Sequence, residues 1–166
     1  MPVFRRGGCP SGAELRYNSI MEIREVLLGS TAEMIDLASL LGRVAVGVCF
    51  VVHGLGKLGL VGSGDMAGFT NFLRERGVPL PEVQARIAML SELVGGSLLA
   101  VGLLTRPACL LLVGTMVVAG AVGHRGAGYL ITNDPPGAEY TINLVVVAVV
   151  LGMMGPGRFS LDAVLF

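Results

Sequence analysis

Four long apolar runs constrain the fold of this chain more than any other feature of its sequence. A bilayer core of about 30 Å needs about 20 apolar residues per helix. Hydrophobic residues make up 53% of the chain and charged residues only 14%, whereas soluble domains carry about 25% charged residues. The runs cover, roughly, residues 38–60, 83–104, 107–124 and 138–155. We therefore expect an all-α, polytopic membrane protein built as a bundle of four transmembrane helices.

An even number of spans places both termini on one side of the bundle, here called side A, and the two long loops on side B. The first of these loops contains SGDMAGFTNFLRERG, in which Ser63 or Asp65 is a possible N-cap and Gly77 a C-cap. Its apolar residues fall at helical spacing, which predicts a short amphipathic helix on the side B interface. Those residues are Met66, Phe69, Phe72 and Leu73.

Residues 1–36 are expected to form a variable, partly disordered segment ahead of a membrane domain at 37–166. Residues 1–20 lack the apolar core of a signal peptide. Met21 begins a more regular segment, so that Met1 and Met21 are both candidate starts. Arginines lie on both sides of the bundle in similar numbers, and the charge pattern therefore does not orient it.

Several classes of function find no support in the composition. The formal net charge is zero, which gives no reason to expect a nucleic-acid partner. The three cysteines form no C-x-x-C motif, and the depths of Cys49 and Cys109 differ by roughly 13 Å, too far for a disulfide. The two histidines and the carboxylates have no diagnostic metal spacing, so no metal site is predicted.

Ionisable side chains inside the apolar runs are the main functional signal. A charge at the bilayer centre costs at least about 2.5–3.5 kcal/mol, so such residues usually face the bundle interior, a water cavity or a partner. Each of the four runs supplies a polar group to the side B half, and we predict that these groups line one ligand-binding pocket. The candidates are His53, Lys57, Glu92, His124, Glu139 and Asn143.

Glu92 is the deepest carboxylate of this set, and helix arithmetic places it near the depth of His53. We therefore expect His53 as its first partner and Lys57 as the alternative. Taken singly, Lys57 would be an anchor that snorkels to the interface, and Glu92 would belong to a structural ion pair. Arg43 lies in the side A half, where we expect a structural role through headgroups, Asp36 or Asp162.

These residues occur in motifs that resemble the DoxX family of membrane proteins over most of the chain after residue 37. The motifs are LLGRVAVGVCFVVHGLGKL, GFTNFLRERGVPLP, LSELVGGSLLAVGLLTRPA, the GY and EY pairs before the fourth run, and GPGRFSLD. The resemblance implies a multi-pass inner-membrane protein with four helices and cytoplasmic termini. The family is related to the membrane subunit of thiosulfate:quinone oxidoreductase, and the resemblance makes Arg43, His53, Lys57, Glu92, His124 and Glu139 the candidate functional positions.

Three functions are compatible with this pattern, and the sequence leaves open whether the chain is itself an enzyme. In the first, it is a membrane subunit of an oxidoreductase whose pocket binds a quinone or a small sulfur oxyanion, with a soluble or membrane redox partner protein. In the second, it is a non-catalytic scaffold that anchors a soluble redox partner. In the third, it is a small-solute transporter, which four helices could form only as a homo-oligomer.

Overall fold

The computed structural model describes residues 31–166, and this part of the chain forms helices and no strands. The expectation of an all-α fold is confirmed, and a helix occurs at each apolar run and in the first loop. The prediction for the N-terminal segment falls mostly on residues 1–30, outside the described range. The helices are α1 Ala32–Lys57, α2 Met66–Glu75, α3 Pro81–Val101, α4 Thr105–Gly123, α5 Glu139–Met154 and α6 Leu161–Leu165.

Two of the helices in the described range, α1 and α4, are both long enough and apolar enough to cross a membrane. Helix α5 is apolar but has 16 residues, and the 21-residue α3 carries Glu82, Arg86 and Glu92. Large apolar side chains are exposed along these helices, and such extensive apolar surface is typical of a protein that contacts lipid or partners. Examples are Leu41, Val48, Leu90, Leu110, Val118 and Met153.

Helix α2 is bounded by the residues that the sequence indicates. The Asp65 side chain accepts a hydrogen bond from the Gly68 amide at 2.6 Å, which caps the helix N-terminus. Gly77 adopts φ 71°, and the amide of Val78 then donates to the Leu73 carbonyl at 3.0 Å. This is the Schellman ending, in which a glycine takes the left-handed conformation.

Helices α1 and α3 are in backbone contact at a pair of glycines. A Cβ atom on Gly47 would lie 2.5 Å from the Gly96 carbonyl oxygen, and one on Gly96 would lie 2.7 Å from the Gly47 oxygen. Nearer side B, a Cβ atom on Gly54 would lie 2.6 Å from Cγ of Leu93. Glycine lets two helices approach this closely, and the approach brings the side B half of α1 against Glu92.

Helix α4 packs against both α3 and α5. The buried side chains between the helices form one apolar cluster, and a fully buried core of this kind fixes the relative positions of the helices. The cluster contains Val46, Phe50, Leu99, Ala108, Cys109, Leu112, Met116 and Leu151.

Candidate functional site

A buried ion pair joins α1 to α3 near side B. Lys57 Nζ lies 2.5 Å from Glu92 Oε2, and the two side chains are 16% and 4% exposed, respectively. Lys57, which the sequence offers as the alternative partner, is therefore the partner of Glu92. The expectation that His53 pairs with Glu92 is wrong. The reason is side-chain direction: helical side chains lean towards the helix N-terminus, so the long Lys57 chain reaches down to the level of Glu92.

The ammonium group of Lys57 is also covered by the loop helix. It lies 4.9 Å from the centroid of the Phe69 ring, within the range of a cation–π interaction. Phe69 stacks in turn beside Phe72, with ring centroids 6.5 Å apart. The aromatic side chains of α2 therefore cover the Lys57 end of the pair.

The Lys57–Glu92 pair lines a groove of about 810 Å³ formed by α2, α3 and α4. Along α4 the groove extends from Leu110 to His124, which is about 21 Å of helix. Most of its wall is apolar, and its polar side chains lie mainly near side B. The lining residues include Phe69, Phe72, Ile87, Ala88, Leu111, Val118, Ala119 and Val122.

His124 and Arg76 lie at the side B rim of this groove. His124 Nδ1 donates to the Pro136 carbonyl oxygen at 2.7 Å, because a carbonyl oxygen can only accept. In the neutral ring, Nε2 then carries no proton and can accept a hydrogen bond. Arg76 Nη1 donates to the Val122 carbonyl at 3.2 Å, and its guanidinium lies 5.0 Å from the Phe72 ring centroid.

His53 belongs to a different cluster, between α1 and α5. Its Nε2 lies 2.8 Å from the Tyr140 hydroxyl, which also lies 2.9 Å from Cys49 Sγ. Because Cys49 and His53 are one turn apart on α1, both reach the same phenol. His53 and Tyr140 are exposed on the side of the bundle, and neither lines the groove.

Glu139 and Asn143 do not join the groove either. Glu139 Oε2 accepts a hydrogen bond from the Ile131 amide at 3.0 Å and so holds the loop before α5. Asn143 is exposed on α5. The prediction that all six polar side chains converge is therefore wrong: the structure brings together Lys57, Glu92 and His124, and it places the other three elsewhere.

Arg43 anchors the opposite, side A end of the bundle. Its side chain is 0% exposed, and Nη2 donates to the Phe159 carbonyl at 2.8 Å, so the alternative of snorkelling to headgroups is wrong. A Cβ atom on Gly102, which has φ 68°, would lie 2.0 Å from Arg43 Nη1. One turn back on α1, the Ser39 hydroxyl donates to the Gly155 carbonyl at 2.9 Å.

Asp162 completes this side A cluster by capping α4. Its carboxylate accepts from the Leu104 amide at 2.7 Å and from the Thr105 amide at 2.9 Å. Burial raises the pKa of Asp162, but the two amide bonds and the Arg43 charge outweigh burial, so the pKa lies below its usual value. The motifs around Arg43, Gly102 and Asp162 thus meet in one structural cluster.

Tyr140 and Phe69 are the contacts of the candidate site that sequence reasoning missed. Tyr140 stands in the EY pair at the start of α5, and Phe69 on the apolar face of α2. Each was visible as part of a motif, but aromatic residues at those positions are more often interfacial anchors or packing residues. Only the contacts in the fold link them to His53 and to Lys57.

Comparison with known proteins agrees with the pattern of motifs. Residues 38–125 match the DoxX family model. The chain is 27% identical over 153 residues to "Inner membrane protein YphA" of Escherichia coli, covering 89% of this chain and 96% of that protein. It is 30% identical over 131 residues to "Putative oxidoreductase CatD" of Bacillus subtilis, covering 79% and 89%, respectively. No solved structure matches. The chain therefore belongs to the DoxX family of membrane proteins.

Proposed function

We propose that this protein is an inner-membrane component of an oxidoreductase system and that its groove binds a lipid-soluble quinone. The observation that carries the proposal is the lining of the groove, which is mostly apolar and includes the Lys57–Glu92 pair. An amphipathic ligand with a polar ring and a long apolar chain matches such a lining. The names of the two relatives, one an inner membrane protein and one a putative oxidoreductase, agree with it.

In this proposal α1, α3, α4 and α5 all cross the bilayer, with side A and the termini in the cytoplasm. Helices α3 and α5 flank the apolar α4 on both sides, so a membrane that contains α4 also surrounds them. The charges of α3 fit this arrangement, because Glu92 is paired inside the bundle and Glu82 lies in the first turn. Helix α2 then lies at the outer interface.

Lys57 is the group that would hold a quinone carbonyl. An ammonium group has three N–H donors, and Glu92 accepts from one of them. Glu92 keeps the Lys57 ammonium in place and balances its charge. When His124 is neutral, its Nε2 can accept from the hydroxyl of a reduced quinone, since Nδ1 already bonds to Pro136. A soluble or membrane partner protein supplies the electrons.

A small sulfur oxyanion would use the same cations but would leave the apolar length of the groove empty, so the quinone is the better match. The scaffold function also has an observation in its favour. The Lys57–Glu92 pair satisfies its own charges, as a purely structural pair does. The two functions differ in whether the groove contains a ligand.

Extraction of quinone from the purified protein tests the proposal. Ala88 lines the groove, and Ala88→Phe should fill it and remove most of the bound quinone. Val94→Phe is the matched control, because Val94 lies on the same helix but is exposed and does not line the groove. Quinone per protein is measured by chromatography after solvent extraction.

The outcomes are distinct. Loss of quinone in Ala88→Phe with retention in Val94→Phe supports the assignment of the quinone site to the groove. Loss in His53→Ala alone would move the ligand to the Cys49–Tyr140–His53 cluster and overturn the assignment to the groove. Wild-type protein that contains no quinone and takes none up from quinone-containing nanodiscs would favour the scaffold.

A further inference from the structure

Helix α2 forms the wall of the groove on side B. Three residues of the helix and the residue that caps its C-terminus line the groove, and one of them lies over the Lys57 ammonium group. These residues are Phe69, Phe72, Leu73 and Arg76. Water-soluble molecules on side B would meet this helix before they met Glu92.

The contacts that hold the outer end of α2 closed are few and exposed. Arg76 Nη1 donates to the Val122 carbonyl at the end of α4, at 3.2 Å. Arg74 pairs with Glu82 of α3 at 2.5 Å, and both side chains are more than half exposed. Exposed ion pairs contribute little to stability, so the outer end of α2 is held less firmly than its inner face, where Thr70 and Leu73 are buried.

Glycines with positive φ lie on both sides of α2. Gly59 and Gly62 precede the helix with φ 74° and 73°, and Gly77 follows it with φ 71°. Glycine adopts such values without steric cost and exchanges readily between backbone regions. A short helix between glycine hinges can move as a unit while the helices that flank it remain in place.

We propose that α2 is a lid over the polar end of the groove. With the lid closed, the Lys57–Glu92 pair is accessible from the bilayer only; with it open, the pair is also accessible from the aqueous phase on side B. The identity of the bilayer ligand rests on the proposed function, whereas the lid motion does not. The lid would let a lipid-soluble ligand and a water-soluble reactant or partner reach one site by separate routes.

Labelling of a cysteine inside the groove tests the lid. Ser91 is buried and lines the groove, so Ser91→Cys places a thiol behind α2 with little change in volume. The variant is reconstituted in nanodiscs and treated with membrane-impermeant methanethiosulfonates, and modification of the peptide that contains residue 91 is followed by mass spectrometry. Adding Arg76→Gln removes the bond to Val122 and should raise the labelling rate about fivefold, as expected for one lost hydrogen bond.

Two controls separate lid motion from other effects. One anionic and one cationic reagent are compared, because opening of the lid accelerates both, whereas the lost Arg76 charge affects them in opposite directions. Arg125→Gln is the matched charge control, since Arg125 lies beyond α4 and, among the described contacts, bonds to no residue of α2. It should change the two rates only in opposite directions, as loss of a positive charge does, and should not accelerate both.

Hydrogen exchange in the same proteins gives a second measurement. Amides of α2 should exchange faster in Arg76→Gln while those of α3 and α4 keep their protection, which shows that the bundle is intact. Equal labelling rates with Arg76 and with Gln at this position would overturn the proposal that α2 is a lid. Faster amide exchange throughout the bundle in Arg76→Gln would also overturn it. Neither measurement requires quinone, so the lid and the proposed function can fail separately.

Discussion

Neutralising Glu92 should destabilise the protein through the ammonium group that it leaves behind. Glu92 is 4% exposed and Lys57 is 16% exposed, so neither charge has full access to water. Removing one partner of a buried pair costs about 3–5 kcal/mol. Because Lys57 retains some exposure, we expect Glu92→Gln to cost about 3 kcal/mol, at the lower end of that range. For a chain of this size that lowers the melting temperature by roughly 6–12 °C.

The double variant Lys57→Met/Glu92→Gln should recover much of this loss. It removes both charges and keeps the approximate volume of both side chains, and replacing a buried pair in this way is often nearly neutral. Its loss should be smaller than the sum of the two single losses by more than about 1 kcal/mol, the size of coupling seen between contacting residues. The measurement is thermal melting of the detergent-solubilised variants.

His53→Ala combined with Glu92→Gln is the matched comparison. His53 bonds to Tyr140 and not to Glu92, so these two losses should add within about 0.5 kcal/mol. If Lys57 and Glu92 proved additive, or if His53 and Glu92 proved strongly coupled, the ion pair would be assigned to the wrong residues.

Two further predictions follow from the packing and from Asp162. Gly47→Ala should lower the melting temperature by several degrees, because the new Cβ would lie 2.5 Å from the Gly96 oxygen, whereas Gly114→Ala, where a Cβ meets no atom within 4 Å, should be nearly neutral; equal effects would show that the glycine contact is not tight. The pKa of Asp162 lies below its ordinary 3.8, so its stabilisation is present above that value and is lost as the pH falls through the lower folded value. Melting between about pH 5 and pH 2 should therefore depend less on pH in Asp162→Asn, and an unchanged slope would contradict this reasoning.

The helices could be predicted because residues close together in the sequence determine where each helix begins and ends. Apolar length marks α1, α4 and α5, and Asp65 and Gly77 mark the ends of α2 through short-range hydrogen bonds. The start of α1 was placed too late, at residue 38 rather than Ala32. Polar residues such as Asp36 and Ser39 make the first turns look unlike a membrane span, yet they bond to the segment that follows α5.

The partners within the candidate site were harder to predict. Depth along a helix locates Cα atoms, but a lysine side chain extends well beyond its Cα and leans towards the helix N-terminus. For this reason Lys57, rather than His53, meets Glu92. His53 and Lys57 lie about 40° apart around α1. Because α1 lies between two neighbouring helices, Lys57 contacts Glu92 on α3 and His53 contacts Tyr140 on α5.

Helix depth placed Arg43 correctly at side A but could not supply its partner. Arg43 donates to the backbone carbonyl of Phe159. Every residue has a backbone carbonyl, so the residue type at a position does not show which carbonyl is the partner. Asp162 was considered as an ion-pair partner for Arg43, whereas its carboxylate accepts from the Leu104 and Thr105 amides. Such contacts depend on how a loop folds back on a helix, which local patterns do not determine.

The two ends of the bundle differ in how they are held, and this difference bears on function. At side A, a fully buried guanidinium, a helix cap and a glycine with no room for a Cβ lock α1, α4 and the segment after α5 together. At side B, the groove is lined by the short helix α2, whose contacts to α3 and α4 include exposed ones. Local opening concentrates where buried contacts are few. Motion should therefore be greatest beside Lys57 and Glu92 and least around Arg43, so a rigid side A would keep the groove in shape while its polar end opens and closes.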